Sequence, residues 1–415
     1  MCATDSVSDW ASSGILALTG RADGPPLVPP GRAASYAREL SDRIHEMTAG
    51  TGSPVRVDGA ALLAERAAFT GHVRRGPTSA GGGCRLLPTA DGWAAVSCAR
   101  PDDPALLGAL VESRLPEDDP WPVVAAWLRE HSGAELARRA ELLGLAAGPV
   151  RTPAAERPAG PSTAPTAARP VKGLLVVDFS ALWAGPLCAQ LLGLAGARVV
   201  KVETPSRPDG ARRGQQDFYR LLHAGHRSVV LDPGTAAGRR ALAALVAAAD
   251  IVIEASRPRA LARFGLDARA AVASGTTWIS ITAAGRSSER VGFGDDVAAG
   301  AGLVARESDG TPLFCGDAMA DPLTGLTAAA AALTAPVGGS GVLHDIAMHD
   351  VVAATLGPEP GPSPAARRLG TGWAVEAGGR WVPVAAPRRR EPVAEAPDMG
   401  THTGEVLRGL GIPMP

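Results

Sequence analysis

A single carboxylate draws attention because of its surroundings. Asp321 precedes Pro322 and a run of alanine and leucine residues that predicts an apolar helix. Backbone N–H groups and the helix dipole stabilise a carboxylate at such a helix N-terminus, where it can act as a nucleophile toward a carbonyl carbon. Aspartate is also a favoured N-cap residue. The local sequence therefore allows either a catalytic or a purely structural role for Asp321.

Three consecutive glycines, Gly81, Gly82 and Gly83, are a second feature that could take part in chemistry. Because they lack side chains, the backbone could approach a ligand closely and offer N–H groups to developing negative charge. A flexible hairpin turn explains the same residues equally well. The sequence predicts either an anion-stabilising loop or a simple turn at this position.

Other polar residues lie beside predicted strands. Glu203 ends a strand where a dinucleotide-binding fold keeps its ribose-binding acid, but the first turn of the sheet lacks the GxGxxG pattern, which argues against NAD. His223 and His226 precede the strand predicted at 227–232. They either contact a phosphate group or lie half-exposed in a loop without a function.

The composition excludes several classes of protein. The 415 residues carry a formal net charge of −1, so no overall field attracts nucleic acid or an anionic membrane. The five cysteines are far apart and form no CxxC pair, which argues against a disulfide framework or a zinc site. Neither a signal peptide nor an apolar run of roughly 20 residues is evident. We expect a cytoplasmic protein that binds neither nucleic acid, membrane nor metal.

The elements that must position these residues alternate between strand and helix after residue 170. Helical apolar spacing predicts helices at 185–196 and 236–250. A continuous apolar run predicts a strand at 173–179, and further buried strands are predicted at 197–203, 227–232, 251–255 and 276–282. This alternation predicts an α/β fold with a doubly wound, Rossmann-like parallel sheet, in which ligands bind at the carboxyl ends of the strands.

The chain before residue 150 has a different pattern. Two strands joined by a turn at Asp91 and Gly92 are followed by helices at 104–113, 121–131 and 134–145. We therefore predict a small α+β domain at 56–150. Proline and small residues predict a linker at 151–170. The sheet domain is placed at 171–340, and residues 341–415 are expected to return to it.

Several separate motifs together resemble one family. They are LLVVDFSALWAGPLCAQLLGLAGARVVKVETPSRPDGAR, HRSVVLD, DIVIEASRPRALARFGL, DGTPLFCGDAMADPLTGL and the tail RWVPVAAPRRREPVAEAPDMGTHTGEVLRGLG. In their order and spacing they resemble the class III CoA-transferases of CaiB/BaiF type. They cover most of 171–335 and the last forty residues. Residues 74–98 and 140–150 are similar to the small domain of that family, which follows the catalytic segment in relatives, so the domain order here looks permuted.

An internal repeat fits this resemblance. Residues 9–35 match residues 295–321 at an offset of 286, and Ser35 then stands at the position of Asp321. We predict that residues 1–55 are a vestigial and catalytically silent copy of the segment that carries the aspartate.

The resemblance implies specific roles at the site. Asp321 corresponds to the nucleophile that attacks an acyl-CoA thioester, with Gly82 and Gly83 beside it. Coenzyme A, as substrate, would contact Trp183, Ala184, Leu231, Ala255, Ser256 and Arg263. Trp183 stands where formyl-CoA transferases have glutamine, and Ala255 and Ser256 stand where they have Asn and Phe, so contacts to CoA are lost. Other arginines near strand ends are candidates for the CoA phosphates: Arg207, Arg212, Arg213, Arg227, Arg257 and Arg259.

The expected function is transfer of CoA between an acyl-CoA and a carboxylic acid. A first alternative is racemisation, isomerisation or dehydration of an acyl-CoA. Two-base racemisation would need Asp295 or Asp296 as second base, because 290–300 lacks a histidine. A second alternative is a non-catalytic subunit that binds acyl-CoA. The resemblance also implies a homodimer, or pairing with a homologous chain, and the permuted order argues against the interlocked subunits of relatives.

Overall fold

The N-terminal segment of the chain is helical. The computed structural model describes residues 3–151, 167–334, 341–357 and 363–415. The helices of this segment are α1 (Ala3–Ser12), α2 (Ala33–Thr48), α3 (Gly59–Leu62) and α4 (Glu65–Thr70). Helices α1 and α2 share one hydrophobic core with helices of the sheet domain described below. The N-terminal segment is therefore built into the large domain.

A small α+β domain follows. Its elements are β1 (Cys84–Thr89), β2 (Gly92–Ser97), α5 (Asp103–Leu110), α6 (Trp121–Glu130), α7 (Gly133–Leu143) and β3 (Ala147–Pro149). The strands form an antiparallel sheet in the order β1-β2-β3. Leu107, Val124 and Leu136 pack the helices onto it. The predicted hairpin and helices are confirmed within one to three residues at each end.

The large domain begins after the predicted linker, of which residues 152–166 lie outside the described residues. Its first half contains β4 (Leu175–Asp178), α8 (Ala184–Leu194), β5 (Arg198–Glu203), α9 (Gln216–His223), β6 (Arg227–Val230), α10 (Ala236–Ala247) and β7 (Ile251–Glu254). Its second half contains α11 (Pro258–Ala262), α12 (Ala268–Ala273), β8 (Thr277–Thr282), α13 (Gly294–Ala301), β9 (Val304–Arg306), β10 (Pro312–Phe314), α14 (Ala320–Ala332), β11 (Val342–Ala347) and α15 (Met348–Ala353). The C-terminal elements are β12 (Ala366–Leu369), β13 (Gly372–Ala377), β14 (Arg380–Pro383) and α16 (Thr403–Gly409).

A six-stranded parallel sheet forms the centre of the large domain, which confirms the α/β fold class. Its strand order is β11-β8-β7-β4-β5-β6. Successive strand residues face opposite sides: Val176 packs toward α8 and α14, and Val177 packs toward α10. The predicted boundary at residue 340 lies before β11, so the sheet continues beyond it.

The strand order reverses between β4 and β7. Strands β5 and β6 extend the sheet to one side of β4, and β8 and β11 extend it beyond β7. In open α/β sheets a ligand crevice forms at the carboxyl ends of the strands at such a reversal. The loops that follow Asp178 and Glu254 therefore border the expected ligand crevice.

The internal repeat has a structural counterpart. Helices α2 and α14 coincide at the offset of 286 residues, and Ser35 occupies the first turn of α2 as Asp321 occupies that of α14. Arg21 and Glu307, which are 286 residues apart, form an ion pair with Nε 2.8 Å from Oε1. Helix α2 also packs directly on α14. The origin of residues 1–55 as a former copy stays a prediction.

Candidate active site

Three helix N-termini converge on the Asp321 carboxylate. Asp321 is the second residue of α14, and the N–H of Ala184, the first residue of α8, donates a hydrogen bond to it. Gly294, the first residue of α13, packs so closely that a Cβ there would overlap the carboxylate. Each helix N-terminus carries a partial positive charge. The predicted placement of Asp321 at a helix N-terminus is confirmed.

The environment makes Asp321 an unusual carboxylic acid. Its side chain is half-buried. Burial raises the pKa of Asp321 to about 7; Asp295 and Asp317 also raise it, while Arg66 and the Ala184 N–H lower it. A carboxylate with a raised pKa is a stronger base than an ordinary aspartate. The group is therefore poised for chemistry near neutral pH.

Arg66 of α4 supplies positive charge to the site. Its Nε donates to Asp317 Oδ2 at 2.8 Å, and its Nη2 donates to Asp317 Oδ1. The guanidinium also lies over the Trp183 ring, 5.1 Å from the centroid. Although Asp317 is fully buried, the ion pair with Arg66 lowers the pKa of Asp317 well below its ordinary value. Arg66 and Asp317 thus form a buried ion pair beside the nucleophile candidate.

His72 extends this pair toward the glycine loop. Its Nδ1 lies 3.3 Å from Asp317 Oδ2, and 27% of its side chain is exposed. A Cβ placed on Gly81 would lie 3.4 Å from the His72 Cε1 atom. The structure therefore connects the predicted glycine loop with the carboxylate cluster through His72.

The glycine loop itself differs from the prediction in one respect. Gly82 has a left-handed backbone, with φ of 80°, which a residue with a side chain rarely adopts. Its N–H donates to the Ser79 carbonyl at 2.8 Å, and the Gly83 carbonyl accepts from the Cys98 N–H at 2.7 Å. The Gly82 N–H is thus already bonded, which contradicts its predicted availability to negative charge on a ligand. The same turn that requires glycine at position 82 directs the Gly82 N–H to the Ser79 carbonyl.

A cavity of about 620 Å³ opens beside Gly82. Gly82 and residues between Cys98 and Trp121 form its wall. Neither Asp321 nor Arg66 nor His72 lines it. The cavity therefore belongs to the small domain and is separate from the carboxylate cluster.

Strained backbone flanks the site. Among the described residues, Leu182 and Ala318 are two of three non-glycine residues with positive φ, at 70° and 48°. Leu182 lies two residues before Ala184, the first residue of α8, and Ala318 lies two residues before Ala320, the first residue of α14. The Ala318 N–H donates to Asp295 Oδ1 at 2.8 Å, and the Leu182 N–H donates to Asp209 Oδ1 at 3.0 Å. Such conformations persist only where the surroundings enforce them, and they concentrate at functional sites.

The two predicted second-base candidates have different surroundings. Asp295 acts electrostatically on both Asp317 and Asp321, and burial raises its own pKa to about 6. Asp296 instead accepts hydrogen bonds from the Ser97 hydroxyl at 3.0 Å and from the Phe293 N–H at 2.8 Å. Asp295 belongs to the carboxylate cluster, whereas Asp296 ties α13 to the small domain.

Three residues predicted to contact CoA lie together at the strand-order reversal. Ala184 follows β4, and Ala255 and Ser256 follow β7. A Cβ on Gly185 would lie 3.6 Å from the Ala255 Cβ, so the two loops are in contact. Ser256 is half-buried, and its hydroxyl has no hydrogen-bond partner among the residues that the structure describes. Arg263 is exposed at the end of α11 in the same part of the chain.

Two other predicted contacts are wrong as side-chain contacts. The Trp183 side chain is 2% exposed, with its ring 5.2 Å from that of Phe218 and covered by Arg66. Leu231 is 1% exposed and packs in the core with α10. Burial removes their apolar surface from water, so neither side chain is available to a ligand. Trp183 therefore supports Arg66 from inside the domain.

Several charged candidates are already engaged. Glu203 is buried and accepts two hydrogen bonds from Arg212, which removes both from the NAD and CoA hypotheses. Arg227 pairs with Glu405 at 3.3 Å, and Arg259 pairs with Glu289 at 3.0 Å. Arg207 and Arg213 are exposed. Arg257, half-buried, follows Ser256 directly and is the best placed of the set for a phosphate.

The two loop histidines are in neither of the predicted environments. His223 is 1% exposed and His226 is 3% exposed. Burial lowers the pKa of His226 to about 3 and that of His223 well below its ordinary value. Uncharged, buried imidazoles cannot bind a CoA phosphate, so both expectations for these residues are wrong.

Helix α8 packs closely on α14, and this packing holds Ala184 against Asp321. Gly325 of α14 allows the close packing because it has no side chain. A Cβ on Gly325 would lie 2.7 Å from the Ala184 carbonyl oxygen and 3.0 Å from the Leu187 Cβ. We expect Gly325→Val to separate the helices and to destabilise the protein by about 1–3 kcal/mol. Urea unfolding measures this change. Gly409→Ala in α16, where no atom of the described residues lies within 4 Å of the added Cβ, is the control and should not destabilise.

The described parts of the chain also lack some kinds of site. Within them, no group of three or more His, Cys, Asp or Glu side chains is arranged to hold a metal ion. Over the same ranges no helix has the length and apolar character needed to cross a membrane. The thiols of Cys84, Cys98, Cys188 and Cys315 are free.

Comparison with known proteins agrees with the resemblance seen in the motifs. Succinate–glutarate CoA-transferase of Agrobacterium fabrum is 31% identical over 211 residues, covering 45% of this chain and 53% of its own length. Succinyl-CoA–D-citramalate CoA-transferase of Chloroflexus aurantiacus is 29% identical over 206 residues, or 45% of this chain and 51% of its own. The chain thus spans about half the length of these curated relatives.

A solved structure and a family model also match. The crystal structure of a CAIB/BAIF family protein from Brucella suis is 30% identical, covers 45% of this chain and 55% of its own, and has a TM-score of 0.41. The model described as CoA-transferase family III matches residues 171–390, which is more than half of the 415 residues. This chain belongs to CoA-transferase family III.

Proposed function

We propose that the protein transfers CoA between an acyl-CoA thioester and a carboxylic acid, with Asp321 as the nucleophile. The observation that carries this proposal is the half-buried Asp321 carboxylate at the meeting point of the N-termini of α8, α13 and α14. Its raised pKa, with Arg66 close by, is what covalent catalysis by a carboxylate needs. The names of its relatives as CoA-transferases support the same reaction.

In the proposed first step an Asp321 oxygen attacks the thioester carbonyl carbon. A C–O bond forms, the C–S bond breaks, and sulfur leaves with the bonding electron pair as CoA thiolate. The thiolate then attacks the aspartyl carbonyl carbon, which releases the donor acid and leaves an aspartyl-CoA thioester. The acceptor carboxylate then attacks the aspartyl-CoA carbonyl carbon and releases CoA thiolate, which leaves a new anhydride between Asp321 and the acceptor. The thiolate attacks the acceptor's carbonyl carbon in this anhydride, which yields the new acyl-CoA and restores Asp321.

The proposed binding place for CoA is the crevice between the loops that follow β4 and β7. Ala184 and Ala255 present small side chains there, and the unpartnered Ser256 hydroxyl can bond to the substrate. Arg257 and Arg263 follow on the same side and would pair with phosphate groups. The thioester end of the CoA would thereby reach the start of α8, where Ala184 contacts Asp321.

Chemical trapping tests the proposal. The protein is incubated with an acyl-CoA and then with hydroxylamine, and the modified residue is located by mass spectrometry. We expect a hydroxamate on Asp321 and none when the acyl-CoA is omitted or when Asp321 is replaced by alanine. Labelling at another carboxylate would assign the nucleophile elsewhere. Absence of labelling and of CoA release in the single chain, with both restored by a homologous chain, would favour a binding subunit.

A second candidate function has one observation in its favour. Asp295 lies in the same cluster as Asp321, and the pKa values of both carboxylic acids are raised toward neutrality. Two such groups can act as acid and base on the carbon next to a thioester. Incubation with acyl-CoA in deuterated water, without an acceptor acid, separates the two functions. Deuterium at that carbon without CoA transfer would favour isomerisation.

A further inference from the structure

We propose that His72, oriented by Asp317, is a catalytic residue that gives a proton to the leaving sulfur of CoA and takes it back when the sulfur returns. The inference rests on the proposed CoA transfer and adds a residue that the sequence motifs do not mark. His72 lies in the segment after α4, outside the region 171–390 that matches the family model.

The position of His72 carries the inference. The His72 Nδ1 lies 3.3 Å from the Oδ2 atom of Asp317. Asp317 is four residues before Asp321 in the chain. The Cε1 atom of the ring faces Gly81 of the glycine loop. Asp317 is close enough to Asp321 to raise its pKa. His72 therefore lies between Asp317 and the glycine loop.

Asp317 fixes the orientation of the imidazole ring. Its buried carboxylate is held by the two hydrogen bonds from Arg66, so it cannot turn away from His72. A carboxylate that accepts from Nδ1–H leaves the proton-exchanging lone pair on Nε2. With 27% of the side chain exposed, His72 can be reached by a ligand in the site. Asp317 is a positioning residue in this arrangement.

The sulfur must come close to the cluster that contains His72. It is bonded to the carbon that Asp321 attacks, so it must lie beside the carboxylate when the C–S bond breaks. With a proton on each ring nitrogen, His72 donates Nδ1–H to Asp317 and Nε2–H to the sulfur. As the bonding pair moves to sulfur, the Nε2 proton follows, so CoA leaves as the neutral thiol in place of the free thiolate of the scheme given above. On return, the thiol proton goes back to Nε2 while sulfur attacks the carbonyl carbon.

The test measures the first release of CoA thiol after mixing with acyl-CoA, with hydroxylamine labelling of Asp321 in parallel. We expect His72→Gln, whose amide can still donate to Asp317, to slow thiol release about 100-fold. Asp321 should still become labelled, only slowly. The parent should show a solvent deuterium isotope effect on thiol release that the variant lacks. In His72→Ala, added imidazole should restore part of the rate. His131→Gln, at a histidine that stacks on Trp127 in the small domain, is the matched control.

Each outcome decides between a chemical and a structural role. A His72→Gln rate within threefold of the parent would overturn the inference. So would an equally slow variant that keeps the parent's isotope effect, because His72 would then only support the fold. If the parent itself gives neither thiol release nor labelling of Asp321, the proposed transfer fails and the inference fails with it. Labelled, active parent protein with an unaffected His72 variant overturns the inference alone.

Discussion

Asp321→Asn is expected to lower CoA transfer at least about 1,000-fold, because removing a nucleophile from a covalent mechanism has effects of this size or larger. The same change should stabilise the fold at alkaline pH. Burial raises the pKa of Asp321 to about 7 in the folded protein, above its value in the unfolded chain. The folded state then binds the proton more tightly, so stability falls as pH rises from about 4 to about 7. Asparagine does not ionise, so the variant does not lose this stability as the pH rises.

Thermal unfolding at several pH values checks the second part of this prediction. The variant should melt higher than the parent at pH 8, and the difference in melting temperature should shrink as the pH is lowered to 5 and vanish near pH 4. Asp317→Asn is the matched control with the opposite sign. Despite burial, Arg66 lowers the pKa of Asp317, so its charged form stabilises the fold at neutral and alkaline pH. A variant of Asp321 that is fully active, or less stable at pH 8, would contradict the assignment.

Arg66→Leu is expected to destabilise the protein by about 3–5 kcal/mol, because removing one partner of a buried ion pair leaves the other charge buried and unpaired. The unpaired group here is Asp317, whose side chain is fully buried. Loss of the cation should also raise the pKa of Asp321 further, because Arg66 favours its charged form. Activity at pH 7 should therefore fall even under conditions in which the variant is folded.

Urea unfolding of a double-variant cycle measures the Arg66 effect. Arg66→Leu combined with Asp317→Leu should recover part of the lost stability, because no unpaired charge then remains. Arg220→Leu breaks a solvent-exposed ion pair with Asp217 and is the control, expected within about 0.5 kcal/mol of the parent. If Arg66→Leu were no worse than this control, the pair would not hold the site together.

The parallel sheet is predictable from the sequence because its central strands are buried on both faces. Strands β4 and β7 each begin with three apolar residues in a row and are buried at every position, and β8 is buried at all but its last position. The edge strand β11 escapes this signal, because its first four residues are exposed or half-buried and include His344 and Asp345. The short strands β9 and β10, three residues each, are also too brief to give a periodic pattern.

The candidate site is only partly predictable, and distance along the chain explains which part. Asp321 lies within a local motif, and Ala184, Ala255 and Ser256 follow predicted strands. Arg66 reaches Asp317 across 251 residues, and no local pattern in either segment announces that contact. The sequence also does not reveal that Trp183 turns inward, since an indole beside a helix start suits a crevice or a core equally well. Packing with Phe218 and Arg66 decides it.

The ion pair between Arg66 and Asp317 also bears on how the protein is made. Translation at 5–20 residues per second takes roughly 10–50 s to add the 251 residues between the two partners. Throughout that interval the N-terminal helices expose the Arg66 guanidinium and an apolar surface, because Asp317 and the helices of the large domain that cover them have not yet been synthesised. Synthesis of the segment around Asp321 then completes the ion pair and the hydrophobic core together. A nascent chain that stalls before this point should therefore need a holding chaperone.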